Sequence, residues 1–405
     1  MEKKKDLKNI ITREMVGNWF IIAGILIITT LEWHLFDWYQ TFTKYGTLIT
    51  FVCLAGAFFC YVDIKDALKD KLFYLMAATD AVALLNLFII KSNKGCILIV
   101  LDFMLILYLA DKVKFNIKES FLVLVYVAFF YFYWTVDVKG YFKGYNTNYG
   151  GLILITGFAA LMIILQIMNG ELAEKYYAYY GEFGKTEGRK SWIKRYWWYP
   201  VLYLFFIALA FNIISWYRSR TALMGLVAIL LIIILPGKII MNKVVYSIIC
   251  ALATVGSVIF SGLYILFGNF ADGGVQLFYK DIVSGRDEIW NELWRAFLTK
   301  PITGVGSSYK MNLEFMDGMF EAHSAMMDIL VVHGIIVFVP LCALLLYRLI
   351  KLRDQVKDYY EGKAIFAAII GTLITGFFEN YYIVQPFSLI LLCFLVIRAD
   401  VIRDI

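Results

Sequence analysis

Residues 244–267, VVYSIICALATVGSVIFSGLYILF, form an apolar run without a charged side chain. A helix needs about 20 such residues to cross the hydrocarbon core of a bilayer. Backbone in hydrocarbon must satisfy its own hydrogen bonds, so this run is predicted to be a membrane-spanning α-helix. Residues 268–323 follow it and form the longest polar interval of the chain.

The rest of the chain repeats the apolar pattern. Its 405 residues are 61% hydrophobic and 18% aromatic, which is far more apolar than a soluble domain. Apolar runs predict about 12 spans in one all-α, polytopic membrane domain covering residues 1–405. Residues 268–323 are then a large, partly helical loop between the ninth and tenth spans. The predicted spans are 17–31, 46–62, 71–90, 95–110, 120–135, 150–168, 199–215, 221–235, 244–267, 324–347, 364–378 and 386–397.

The basic residues predict the orientation of these spans. With the lysine-rich start inside, roughly two thirds of the 38 Lys and Arg residues fall on the inner side, as the positive-inside rule describes. Both termini are then cytoplasmic and the loop faces outward. Basic residues beside anionic lipid also account for the net charge of +6, so membrane lipid is the expected partner and no nucleic acid is needed.

The outer loop contains a predicted amphipathic helix. In residues 287–298, apolar side chains recur every four positions at Ile289, Leu293 and Phe297. Residues 301–308, PITGVGSS, end this helix and are predicted to form a turn. They lack the Lys-Ser/Thr pair that a phosphate-binding P-loop carries, so a phosphate cradle is not favoured there.

Arg286 is a candidate anion-binding residue at the start of this helix. Ser284, followed three residues later by Asp287, resembles a capping box and places Arg286 in the first turn. Free backbone N–H groups and the helix dipole favour an anion there, and a guanidinium can bind phosphate oxygens with two hydrogen bonds. The alternative is an ion pair with a nearby carboxylate, Asp281 or Glu288.

Arg218 and Arg220 lie in a tight outer turn between two apolar runs, against the positive-inside trend. Either they form an anion site at the membrane surface or they extend toward lipid phosphates. His323 lies where the loop meets the next apolar run, and its imidazole can act as a base near neutral pH. A structural role is the alternative for a lone histidine. Asp328 and Glu379 lie near the outer face and are predicted to line the site.

Three patterns follow one another in the second half of the chain. They are Ser219-Arg220-Thr221-Ala222 after an apolar run, Ser284-Gly285-Arg286-x-x-x-Trp290 with Pro301-x-x-Gly304-x-Gly306, and His323 with Gly334 eleven residues on. Together they resemble the O-antigen ligase and O-antigen polymerase superfamily of bacterial envelope glycan assembly, over roughly residues 200–385. The large outer loop between the ninth and tenth spans matches as well.

The resemblance implies a lipid-diphosphate-dependent glycosyltransferase of the bacterial cytoplasmic membrane. Its donor is a glycan on undecaprenyl diphosphate, its acceptor is a glycan hydroxyl, and no cofactor or metal is required. Arg220, Arg286 and His323 are then the expected catalytic residues, with inversion at the anomeric carbon. The sequence departs from the family where Ser324 stands in place of the usual Asn. The expected substrate-binding residues are Arg218, Trp290, Ser324, Asp328 and Glu379.

Three activities are compatible with these features. A polymerase extends capsular, exopolysaccharide or O-antigen repeat units, whereas a ligase moves a finished glycan to a terminal acceptor. The Lys-, Ile- and Tyr-rich, Pro-poor composition is typical of AT-rich genomes, including many bacteria that make capsules without lipopolysaccharide, and it favours the polymerase. A lipid-linked glycan flippase is the alternative from another class, although such transporters tend to show internal repeats and broken helices. Residues 169–198 are either a docking surface for glycan-assembly proteins or an interfacial amphipathic segment.

Overall fold

The structure is predominantly helical, as the sequence predicts. Within the described residues, the β-structure is one antiparallel pair of two-residue strands, β1 (Gln276–Leu277) and β2 (Lys280–Asp281), with Gln276 opposite Asp281. The computed structural model describes residues 12–34, 39–90, 92–137, 147–183, 190, 193–270, 276–277, 280–281, 285–313, 322–358 and 362–397.

The helices are numbered in chain order. The first eight are α1 (Arg13–His34), α2 (Tyr39–Tyr61), α3 (Ile64–Ala67), α4 (Lys71–Ile89), α5 (Lys94–Leu109), α6 (Ile117–Asp137), α7 (Thr147–Phe183) and α8 (Trp198–Tyr217). The remaining ones are α9 (Arg220–Ile234), α10 (Gly237–Ile240), α11 (Lys243–Phe270), α12 (Arg286–Thr299), α13 (Ala325–His333), α14 (Ile335–Val356), α15 (Gly362–Thr375) and α16 (Phe387–Val396).

Most of the predicted spans coincide with a long apolar helix. Within the described residues, eight helices are long and apolar enough to cross a membrane, and α9, α15 and α16 are shorter apolar helices. The fourth predicted span coincides with α5. The all-α, polytopic fold is therefore confirmed, and α12 confirms that the large loop is partly helical.

The tenth predicted span, 324–347, has different bounds in the structure. Two helices, α13 and α14, occupy this part of the chain, and they are separated at Gly334, which has φ 72° and ψ 179°. That conformation is accessible essentially only to glycine. The sequence analysis missed the break, because the mean hydropathy of a run does not register a single backbone conformation.

The turn after α12 forms backbone hydrogen bonds with the residues on both sides of this break. Pro301 and Ile302 accept hydrogen bonds through their carbonyl oxygens from the amides of Ile335 (2.9 Å) and Ile336 (3.3 Å). In the opposite sense, the amides of Val305 and Gly306 donate to the carbonyls of Val331 (2.9 Å) and Val332 (3.1 Å). The turn predicted from residues 301–308 therefore satisfies backbone groups that the break leaves without helical partners.

A second hydrophobic cluster attaches α12 to the helical bundle. Its apolar face buries Ile289, Trp290, Leu293 and Phe297 against residues of α11 and α13, including Tyr264 of α11. This packing fixes the start of α12 relative to α13 and so determines where the site residues lie.

Polar contacts gather at two opposite ends of the bundle. At one end, Ser307 accepts a hydrogen bond from the amide of Asn93 (2.7 Å), and Asn148 donates to Glu379 (3.0 Å). At the other end, Lys363 donates to the carbonyl of Leu235 (2.9 Å). The alternation of the connections between these two ends agrees with successive membrane crossings.

We expect Gly304→Val to destabilise the protein by about 3 kcal/mol, because two costs combine. Gly304 has φ 77°, and a Cβ there would lie 2.3 Å from the carbonyl oxygen of Val332, a backbone atom that cannot move aside cheaply. Thermal unfolding in detergent measures the effect. Gly262→Ala is the control, because nothing lies within 4 Å of a Cβ at that helical position. An equal unfolding temperature for Gly304→Val and the unmodified protein would contradict the role assigned to the turn.

Candidate active site

The candidate site is organised around Glu379, in the connection between α15 and α16. Its side chain is buried, with 8% of the residue exposed. One carboxylate oxygen accepts hydrogen bonds from Arg286 Nη2 (2.9 Å) and Asn148 Nδ2 (3.0 Å). The other lies 3.3 Å from His323 Nδ1. Arg286 and His323, two of the residues predicted to be catalytic, are therefore joined by one carboxylate.

Arg286 lies in the first turn of α12, as predicted. The residue before it, Gly285, is the N-cap with φ 75°, while Ser284, the predicted capping residue, lies outside the described residues. The guanidinium also donates to the carbonyl of Phe378 (3.4 Å) and lies 5.5 Å from the centre of that ring. The ion-pair alternative predicted Asp281 or Glu288 as its partner. The structure pairs Arg286 with Glu379, and the side chain of Asp281 is not among those that the structure describes.

His323 is held in a left-handed backbone conformation, with φ 47°. Hydrogen bonds fix the chain on both sides of it. Trp290 Nε1 donates to the carbonyl of Ala322 (2.9 Å), and the amide of Ser324 donates to Asn380 Oδ1 (3.0 Å). Such a conformation costs about 1–3 kcal/mol and persists only where the surroundings enforce it. These bonds direct the imidazole toward Glu379.

Ser324 and Asp328 lie beside His323 in a hydrogen-bond network. Ser324 is fully buried, and its carbonyl accepts a hydrogen bond from the amide of Asp328 (2.9 Å). Asn380 links the two residues, because its Nδ2 donates to Asp328 Oδ2 (2.9 Å) and its Oδ1 accepts from the amide of Ser324. Asn380 thus supplies an amide next to Ser324, the position where the resemblance expects an asparagine.

Trp290 lies in the interior of the loop. It has no exposed surface and packs against Tyr264 (5.0 Å between ring centroids) and Phe378 (5.9 Å). Its indole N–H supports the backbone at Ala322. In this arrangement Trp290 positions His323 and presents no face to a sugar.

The turn that carries Arg218 and Arg220 adjoins the same region. Arg218 ends α8 with φ 54°, and Ser219 caps α9, accepting a hydrogen bond from the amide of Ala222 (3.3 Å). A Cβ on Gly151 of α7 would lie only 2.5 Å from Ser219 Cβ, so the two backbones approach closely. Gly151 lies one helical turn from Asn148, the residue that binds Glu379.

The electrostatics of the site favour an ionised Glu379. Burial alone would raise its pKa, but the hydrogen bond and charge of His323 and the charge of Arg286 hold the pKa below its ordinary value, with a further contribution from Asn148. A carboxylate at Nδ1 favours the imidazole tautomer in which Nε2 carries the lone pair, which suits a general base. Within the described residues, no group of three or more His, Cys, Asp or Glu side chains is placed to hold a metal ion.

The sequence analysis did not identify Asn148, Gly151 or Asn380. Asn148 precedes a glycine pair at the start of a span, and Asn380 follows the acidic residue at the end of another. Both are polar residues at the edge of an apolar run, and this pattern is only a weak indication of a site residue. Their partners lie more than fifty residues away in the chain, so only the fold brings them together.

We expect Glu379→Gln to lower stability by about 3 kcal/mol near neutral pH, because it removes one partner of a buried ion pair. The pKa of Glu379 is lower in the folded state than in the unfolded state. Its ionised form therefore stabilises the fold at a pH above the ordinary glutamate pKa, and this stabilisation is lost as the pH falls through the pKa of the folded state. The difference in unfolding temperature between Glu379→Gln and the unmodified protein should therefore shrink below about pH 4. Thermal unfolding as a function of pH tests this, with Glu288→Gln on the exposed side of α12 as the control. A difference independent of pH would contradict it.

The sequence model of the family described as O-antigen ligase matches residues 204–342. This segment contains Arg218, Arg220, Arg286 and His323 and ends before Glu379. No curated protein and no solved structure matches the chain significantly.

Proposed function

We propose, from the match of residues 204–342 to the O-antigen ligase family model, that this chain is a membrane glycosyltransferase. It transfers a glycan from undecaprenyl diphosphate to an acceptor sugar hydroxyl on the outer side of the bacterial cytoplasmic membrane. The preferred reaction is polymerisation of capsular, exopolysaccharide or O-antigen repeat units. The transfer inverts the anomeric centre and requires no metal or other cofactor.

The observation that carries this proposal is the connection of His323 and Arg286 through Glu379. A proton acceptor and a fixed cation stand on either side of one buried carboxylate. Glycosyl transfer from a diphosphate needs both functions at once, since a hydroxyl loses a proton while the leaving group gains negative charge. A transporter forms no glycosidic bond and so has no acceptor hydroxyl to deprotonate.

Arg286 and Arg220 act on the leaving group. As the bond between the anomeric carbon and the diphosphate oxygen breaks, negative charge accumulates on the undecaprenyl diphosphate. Cations fixed before the reaction stabilise this charge more in the transition state than in the ground state. Glu379 neutralises part of the charge of Arg286, so the arginines of the turn, Arg218 and Arg220, supply the additional positive charge that a diphosphate needs.

His323 acts on the acceptor. Its imidazole takes the proton of the acceptor hydroxyl while the oxygen attacks the anomeric carbon from the side opposite the diphosphate, which inverts the configuration. The resulting imidazolium is stabilised by Glu379 at Nδ1. After product release the proton passes to water, since part of the His323 side chain is exposed.

The distribution of basic residues supports an outward-facing site. The end of the bundle opposite Glu379 has a high density of lysine and arginine, as the cytoplasmic side of a membrane protein does. The basic residues at that end include Lys112, Lys114, Lys118, Lys238, Lys243, Arg348, Lys351, Arg353, Lys357 and Lys363.

Reconstitution tests the function directly. The purified protein in liposomes is given an undecaprenyl-diphosphate-linked repeat unit, and the products are separated by gel electrophoresis. A ladder of increasing chain length is expected for the polymerase. Transfer of a single finished glycan to a distinct acceptor would identify the ligase instead, and translocation without a new glycosidic bond would contradict glycosyl transfer.

Arg286→Ala should abolish polymer formation while the protein still accumulates in the membrane. Losing a charge-assisted contact that acts in the transition state costs several kcal/mol, on the order of the 2.7–4 known for other fixed donors. Arg286→Lys should also fail largely, because an ammonium cannot reproduce the planar fork. Arg295→Ala, on the exposed side of the same helix, is the matched control. Substantial polymer from Arg286→Ala would refute its assigned role.

His323→Ala should lower turnover by roughly 10²–10⁴, the usual contribution of general acid–base catalysis. Donor binding should survive, because the arginines hold the diphosphate. His323→Gln separates proton transfer from positioning, since glutamine forms hydrogen bonds but takes no proton at neutral pH. Turnover near that of the parent in this variant would make His323 a positioning residue. His333→Ala should be milder, because His333 lies at the far end of α13, about 12 Å along its axis.

We expect full activity in excess EDTA. Among the acidic side chains at the site, Glu379 is engaged by Arg286, His323 and Asn148, and Asp328 by Asn380, so the fixed cations replace a divalent metal. The initial rate of polymer formation with and without chelator measures this. A rate that collapses in EDTA and recovers with magnesium would show that the reaction depends on a metal.

A further inference from the structure

The turn at residues 300–306 lies at the level where two membrane helices end. α14 has 22 residues, a length of about 33 Å, so it can cross the hydrocarbon core alone and its start at Ile335 marks one edge of that core. The amides of Ile335 and Ile336 donate to Pro301 and Ile302. The turn is therefore level with the edge of the membrane at α14.

The end of α4 gives the same level independently. This helix is a candidate span that ends at Ile89, and the connection after it contacts the turn. The amide of Asn93 donates to Ser307 Oγ (2.7 Å), and a Cβ on Gly306 would lie 2.7 Å from the carbonyl oxygen of Ile90. Two helices with separate paths through the membrane thus place the turn at one depth.

The exposed surface of this segment includes two large apolar side chains. Leu298 at the end of α12 is 69% exposed and Ile302 in the turn is 65% exposed. Ile335, Ile336 and Val339 of α14 are also exposed, and the amides of Ile335 and Ile336 donate to the turn. An apolar surface that continues the lipid-facing side of a membrane helix is unfavourable in water and favourable in hydrocarbon.

The backbone of the turn is suited to that environment. Irregular backbone is tolerated at membrane depth only where its polar groups are satisfied by the protein. Pro301 has no N–H group, its carbonyl and that of Ile302 accept hydrogen bonds from α14, and the amide of Gly304 donates to the carbonyl of Lys300 (2.9 Å). Lys300 carries a long side chain that can reach lipid phosphates from this depth.

We propose that residues 298–302 form a re-entrant segment immersed in the membrane, with Leu298 and Ile302 in contact with lipid acyl chains at the depth of Ile335 and Ile336. The end of α12 is then anchored in lipid, so α12 and the turn after it are held at the membrane surface. The proposal is independent of the reaction, because its test needs no substrate.

Environment-sensitive labelling tests the proposal in the full-length protein in liposomes. Single cysteines replace Leu298 or Ile302 in a background carrying Cys60→Ser and Cys96→Ala, because the other four native cysteines are buried. Each cysteine is labelled with an NBD fluorophore. Doxyl-labelled phosphatidylcholine quenches from the acyl-chain region and iodide quenches from water. Ile336→Cys is the lipid reference, and Asn291→Cys, exposed on the same loop helix, is the aqueous reference.

Labels at positions 298 and 302 should show the blue-shifted emission and doxyl quenching of position 336 and should resist iodide. Iodide quenching at either position equal to that at 291, without doxyl quenching, would overturn the proposal. Each labelled variant is first checked for monodisperse elution. If Leu298→Cys does not fold, position 302 alone decides the outcome, because the two lie on different elements.

Discussion

Glu379 accepts hydrogen bonds from Arg286, His323 and Asn148, side chains that come from separate parts of the chain, the last of them 231 residues away. A buried carboxylate without such partners would be strongly unfavourable, since desolvation of a single charge costs several kcal/mol. A charged Glu379 therefore requires the start of α12, the end of the loop and the start of α7 to lie around the connection after α15. The same requirement places a base and a cation side by side.

A second constraint acts through the backbone. The break at Gly334 ends a buried helix and starts a membrane-crossing one, and it leaves amides and carbonyls that hydrocarbon cannot satisfy. The turn after α12 supplies their partners. The loop is thus attached to the bundle at both ends of α12, by Arg286 at the start and by the turn at the finish. Packing of Trp290 and its neighbours holds the helix between these attachments.

Much of the fold follows from the sequence, because a membrane helix is specified by the length and polarity of a run. The predicted loop helix also follows, since its apolar residues recur every four positions. The division of the tenth span does not, because one glycine conformation decides it. Arg286 and His323 are recognisable as ionisable groups at element ends, and Glu379 as a charge at the end of a run. Their convergence, and the roles of Asn148 and Asn380, depend on contacts over long sequence separations that a single sequence does not encode locally.

In the proposed mechanism Glu379 and His323 act as one unit in proton transfer. A double-mutant cycle measures this most directly, with initial rates of polymer formation for Glu379→Gln, His323→Ala and the double variant at saturating donor. If Glu379 acts through the imidazole, the double variant should lose less activity than the product of the two single losses, and the remaining loss comes from the contact of Glu379 with Arg286. Rate losses that multiply in the double variant would show that the two residues act independently, and they would refute a joint role in proton transfer.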